Sequence, residues 1–152
     1  MSFWNSFKIS SSALSAQRLR MDVIANNIAN VETTHTEETG QAYQRKDVVF
    51  STENANLPFA QNLMMVNEKL NRSDVVLDGV KVKEIITDDT PGTQVYDPTH
   101  IDADEDGYVT YPNVNIAVEM TNMISASRSY EANLAVIEST RRMAETALRI
   151  GG

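Results

Sequence analysis

Apolar side chains return with a seven-residue period at the start of this chain. Phe7, Leu14, Met21 and Ile28 form one series, and Phe3, Ser10, Gln17, Ile24 and Val31 form a second, four residues behind it. Two series offset in this way mark the a and d positions of a heptad stripe, weakened at Ser10 and Gln17. No Pro or Gly interrupts residues 2–31. The pattern therefore predicts a single helix of roughly 40 Å with one narrow apolar face.

A second stripe occupies the other end. Ile116, Met120, Met123, Ser127, Tyr130, Leu134, Ile137, Arg141, Ala144 and Leu148 alternate in steps of four and three, from just after Pro112 to a stop at Gly151. A helix of about 35 residues, roughly 50 Å, is long for a domain of this size. Its stripe demands a cover, and the first helix is the natural partner within the chain.

Between the helices the period changes. Residues 42–50 read as a strand ending in Val48, Val49 and Phe50, and residues 75–77 and 80–86 read as further β-structure, with Asp78-Gly79 as a hairpin turn. Residues 51–72 fit no single pattern, and residues 61–70 within them suit either a short helix or a loop. Pro91-Gly92, Asp97-Pro98 and Asp106-Gly107 punctuate the stretch between that β-structure and the second helix. The expected fold class is α+β: long amino- and carboxy-terminal helices paired as a coiled-coil-like hairpin, with a small β-rich inserted middle domain. Its expected divisions are 1–34, 35–113 and 114–152. A hairpin of two such helices has apolar surface left over. Either neighbouring molecules in an assembly cover it, or residues 61–70 fold back to make a three-helix or four-helix bundle.

Composition narrows the function. The 152 residues include no cysteine, which excludes disulfides, thiolate zinc sites and cysteine nucleophiles. The net charge of -8 is concentrated in the middle, where residues 32–110 carry sixteen acids against six bases. An acidic centre between near-neutral ends does not suit a duplex nucleic-acid binder. No run approaches the eighteen or so apolar residues that cross a bilayer, and the first residues lack a signal-peptide core.

Candidate chemistry is sparse. Asp102, Asp104, Asp106 and Gly107 occupy positions 1, 3, 5 and 6 of a calcium loop, but position 12 is Asn113 instead of a bidentate Glu. The segment reads either as a weak ion site or as a solvated acidic turn. His35 and His100 are the only imidazoles. There is no G-x-S-x-G elbow and no Gly-rich phosphate turn, and the neighbouring Asp88 and Asp89 would point to opposite sides of a strand. No catalytic residue, metal ligand or cofactor is expected. In the first helix, Asn26, Asn27 and Asn30 lower helix propensity. They serve either a tight hydrogen-bonded interface or a fraying helix end.

These residues also carry a resemblance. SALSAQRLRMDVIANNIANVETT at residues 12–34, centred on ANNIANV at 25–31, resembles the amino-terminal signature of bacterial flagellar rod and hook proteins. YQRKDVVF at 43–50, VYDPTHIDADEDGYVTYPNVNIAVEM at 95–120 and MISASRSYEANLAVIEST at 123–140 resemble the proximal-rod type of flagellar basal-body rod protein. The resemblance implies a structural subunit of the rod, the drive shaft that transmits motor torque and encloses the export channel. It implies synthesis in the cytoplasm, export without a cleaved signal peptide by the flagellar type III export apparatus, and a place in the basal body where the rod spans the periplasm. Its implied partners are copies of itself, other proximal-rod proteins, the distal-rod protein and the membrane-embedded ring with its export gate, without nucleic acid or direct bilayer insertion. The terminal helices become the inner layer of a tube. The stripes become assembly interfaces, with Phe7, Leu14, Met21, Ile24, Asn26, Asn27, Ile28, Asn30, Met120, Met123, Tyr130, Leu134 and Ile137 as candidate contact residues. The alternative from a different class is a calcium-responsive interaction protein that uses the 102–107 loop as its switch.

Overall fold

The computed structural model describes residues 3–37, 40–52 and 78–150. The strand expected at 75–77, the segment 61–70 and the stop at Gly151 lie outside these residues. In chain order the elements are α1 (Phe3–Ala29), β1 (Lys46–Thr52), β2 (Val80–Thr87), β3 (Thr93–Tyr96), β4 (Tyr108–Tyr111) and α2 (Ile116–Ile150). The fold is α+β, a hairpin of two long terminal helices with a small β-rich middle region inserted between them.

Each helix ends for a local reason. At the close of α1 the Asn30 side chain donates to the carbonyl of Asn26 at 2.9 Å, and the backbone tightens as Val31 N–H reaches Ile28 O. That arrangement satisfies last-turn carbonyls that have no further helical partner. At the start of α2, Asn115 is the N-cap: its carbonyl accepts from Glu119 N–H at 2.9 Å and its Oδ1 from Val118 N–H at 3.2 Å.

The middle region contains two ribbons. β1 pairs with β2. β3 pairs antiparallel with β4 in the register Thr93↔Tyr111, Gln94↔Thr110, Val95↔Val109 and Tyr96↔Tyr108. Alternation turns Val109 wholly inward and leaves Tyr108 and Thr110 outward. The ribbon requires glycine at position 92, where a Cβ would stand 1.8 Å from the Tyr111 carbonyl oxygen.

The chain divides into two compact units, and both helices contribute to each. The first comprises Met1–Arg18, Phe50–Lys83 and Arg128–Gly152; the second comprises Leu19–Val49 and Glu84–Ser127. Ser10, Ala16 and Thr140 are buried in the first, where Ser12 Oγ accepts from Val80 N–H at 3.1 Å and ties α1 to the start of β2. Val23, Ile24, Asn27, Tyr43, Val109, Glu119 and Ala126 are buried in the second.

The buried line on α2 is offset by one residue from the most apolar one. Glu119, Ala126 and Thr140 are buried and Asn133 half-buried, at seven-residue spacing. Met120, Leu134 and Leu148, one position to the side, remain exposed, as does Ile116 at the start of the helix. Met123, Tyr130, Ile137 and Ala144 are half-buried between the two lines. On α2 the small Ala126 and Thr140 thus take buried places, while bulkier apolar side chains lie at the flanks of that line.

Candidate functional site

Two features distinguish the surface and interior of the helices: apolar flanks that the chain does not cover, and a buried polar clasp. On the flanks, Phe7 is 40% exposed, Met120 55% and Leu134 41%. Trp4, Leu19, Ile124, Val136 and Met143 are exposed as well. Leu14, Met21, Ile28, Met123, Tyr130 and Ile137 are half-buried, whereas Ile24 is buried within the chain. Large apolar groups at this density on both helices are a surface suited to association.

The three asparagines of the first helix do three different things. Asn26 is exposed, but its Oδ1 lies 2.8 Å from the Tyr43 hydroxyl. Asn30 shapes the helix end, and its Oδ1 accepts from Thr33 Oγ1 at 3.2 Å. Asn27 is fully buried. Its Nδ2 donates to Lys46 O at 2.8 Å and to Glu119 Oε2 at 3.2 Å, while its Oδ1 accepts from Lys46 N–H at 2.9 Å. One amide thus pairs with both backbone groups of a strand residue, as a neighbouring strand would. The Tyr43 hydroxyl also reaches Asn27 Oδ1, at 2.9 Å, and with one proton it donates to one asparagine at a time.

Glu119, in the first turn of α2, completes the clasp. Its carboxylate is 1% exposed, and Arg45 Nε donates to its Oε1 at 2.9 Å. The far side of the guanidinium lies 3.5 Å from Asp47 and 3.9 Å from Asp88. Burial alone would lower the Arg45 pKa, but the hydrogen bond and charge of Glu119, with Asp47 behind them, raise it. Burial, followed by the Glu119 charge, pushes the Tyr43 phenol above its ordinary value. The clasp joins the end of α1, the run into β1 and the start of α2 through side chains far apart in sequence. Of these residues, sequence reasoning reached only the asparagines. Tyr43, Arg45 and Glu119 were missed, although an acid inside the apolar run IAVEM was a usable signal.

The acidic loop is built by its own carboxylates. Asp104 Oδ1 accepts from Asp106 N–H at 3.0 Å and Tyr108 N–H at 2.7 Å, and Gly107 takes a positive φ to close the turn. Asp102 Oδ2 instead accepts from Thr34 Oγ1 at 2.7 Å. Asp97 accepts from the backbone and hydroxyl of Thr99, and these bonds hold its carboxyl below the usual range. Among the described residues no group of three or more acids and imidazoles converges as a metal site. An open cleft of about 380 Å³ lies beside the loop, lined by Thr34, Arg45, Asp88, Asp102, Asp104 and Tyr111 among others.

Comparison with known proteins places these features in a family. Residues 7–34 match the flagella basal body rod protein family, and residues 105–150 match the carboxy-terminal family of flagellar basal body rod FlgEFG proteins. The chain is 42% identical to the flagellar basal-body rod protein FlgC of Borreliella burgdorferi, over 99% of this chain and 98% of the relative. It is 38% identical to that of Bacillus subtilis and 37% identical to that of Salmonella typhimurium, each over 99% of both chains. With similarity of this order across nearly the whole length, from the ANNIANV helix end through the acidic turn to the second long helix, the chain belongs to the FlgC family of flagellar basal-body rod proteins.

Proposed function

We propose that this chain is a structural subunit of the proximal rod of the bacterial flagellum. It works mechanically, by packing, and no reacting group enters that work. The observation that carries the reading is that large apolar side chains of both helices stay exposed beside the buried positions. Those buried positions, Ser10, Ala16, Val23, Ile24, Ala126 and Thr140 among them, take in only part of the hydrophobic surface the helices carry. Phe7, Met120 and Leu134 are left for neighbours.

Repeated contacts of this kind are heterologous and generate a helical tube. Each neighbour adds a favourable term of about 25 cal/mol per Å² of apolar surface covered, less the cost of ordering the contact. Spread over two long helices, such contacts resist the shear that torque imposes on a shaft. Of the candidate interface residues, Phe7, Leu14, Met21, Ile28, Met120, Met123, Tyr130, Leu134 and Ile137 retain exposed surface for this purpose, as do Asn26 and Asn30. Ile24 and Asn27 act from inside the subunit.

The partners of this reading are further copies of the chain, the other proximal-rod proteins, the distal-rod protein and the ring and export gate at the base. The type III export apparatus delivers the chain to a rod that spans the periplasm and encloses the export channel. No described helix is long and apolar enough to cross a membrane. An electron-cryomicroscopy map of isolated basal bodies tests the proposal. It is expected to show this chain in the proximal rod with both helices in the inner wall. A complete rod that lacks the chain would overturn it.

A further inference from the structure

We propose that Glu119 is a register lock: it decides which turn of α2 lies against which turn of α1. The need for one arises from the seven-residue repeat of the inward positions. On α1 the inward positions Ser10, Gln17 and Ile24 repeat every seven residues, as do Ala16 and Val23; on α2, Glu119, Ala126, Asn133 and Thr140 do the same. A stripe of period seven coincides with itself after a slide of seven residues, about 10 Å along the axis. The heptad repeat by itself therefore does not choose between the two registers.

The clasp supplies the missing discrimination. Asn27 grips both backbone groups of Lys46, so the preceding residue, Arg45, is held at a set position relative to the end of α1. Arg45 then reads the carboxylate of Glu119 on α2 at 2.9 Å, and Asn27 reads its second oxygen at 3.2 Å. In a slid register Ala126 would take that place, and the Glu119 charge would lose its partners. A buried charge without partners is strongly unfavourable, so the network excludes the alternative even where it adds little net stability. A single buried polar group fixes register in coiled coils by the same principle.

The test is a distance. The chain has no cysteine, so Asp22→Cys and Thr121→Cys, both exposed and both in the second unit, accept nitroxide labels on α1 and α2 without background. Double electron–electron resonance on the labelled full-length chain is expected to show one dominant distance. Adding Glu119→Leu should keep the helix content and introduce a second population, from a slide of about 10 Å. Adding Glu119→Leu together with Ala126→Glu moves the carboxylate one heptad along and should make the displaced population dominant. If the first variant fails to fold, recovery of helix content in the second with a shifted distance supports the lock just as well. A single unchanged distance in both variants overturns the proposal, as does loss of helix content in both.

Discussion

Arg45 Nε donates to Glu119 Oε1 at 2.9 Å across 74 residues of sequence, and the carboxylate that receives it is almost wholly withdrawn from water. Removing one partner leaves a buried charge unsatisfied. Arg45→Ala is expected to destabilise the chain by about 3 kcal/mol, whereas Glu119→Gln, which keeps the shape and one acceptor, should cost less. Chemical denaturation followed by circular dichroism checks the order. Equal midpoints for Arg45→Ala and the parent chain would remove the ion pair from the account of stability.

Tyr43 makes an alkaline prediction. Its phenol titrates higher in the folded chain than in the unfolded one, because burial and the Glu119 charge both oppose the phenolate. The unfolded state therefore releases its proton first as pH rises. The contribution of Tyr43 is fully present below about pH 10 and is lost as pH climbs from there through the folded value. Tyr43→Phe should flatten this part of the stability curve and cost about 1 kcal/mol at neutral pH through the lost hydroxyl bonds. Melting temperatures of the two proteins on either side of pH 10 give the comparison.

Leu134 separates assembly from folding. At 41% exposed it is only partly covered within the isolated subunit. Leu134→Asp should lower the stability of the free chain by about 1 to 2 kcal/mol, from the lost partial burial and the poorer helix propensity of Asp, without unfolding it. On the rod reading the same substitution abolishes motility while soluble protein persists. Normal swimming by cells that carry only this variant would take Leu134 out of the interface.

Gly92 tests the β3–β4 ribbon. A methyl group there meets the Tyr111 carbonyl oxygen at a distance no real contact allows, so the backbone must shift. Gly92→Ala is expected to loosen the Thr93↔Tyr111 end of the ladder, seen as faster amide exchange at β3 and β4, with the helix signal retained. Unchanged exchange would show that the ribbon adapts without strain.

The two helices were legible in the sequence, because backbone periodicity and the absence of Pro and Gly are local properties, and the strands expected at 42–50 and 80–86 overlap β1 and β2, which run Lys46–Thr52 and Val80–Thr87. So was the acidic turn, since Asp104 and Gly107 build it from residues within reach of one another. The Asn cluster was visible, but its two readings, interface or frayed end, both missed the intramolecular pairing of Asn27 with Lys46. That pairing depends on a contact nineteen residues away, which no local pattern encodes.

The sequence alone determined that this chain has two long amphipathic helices around an acidic, β-rich middle, because periodicity and charge are written residue by residue. Only the tertiary structure decided which face is buried. An apolar stripe does not say which of its positions the chain itself covers, whereas the fold buried Ala16, Val23, Ile24, Glu119 and Ala126 and left Phe7, Met120 and Leu134 exposed. The same folding brought Tyr43, Arg45 and Glu119 to Asn27, since a buried charge is tolerated only where distant partners converge on it.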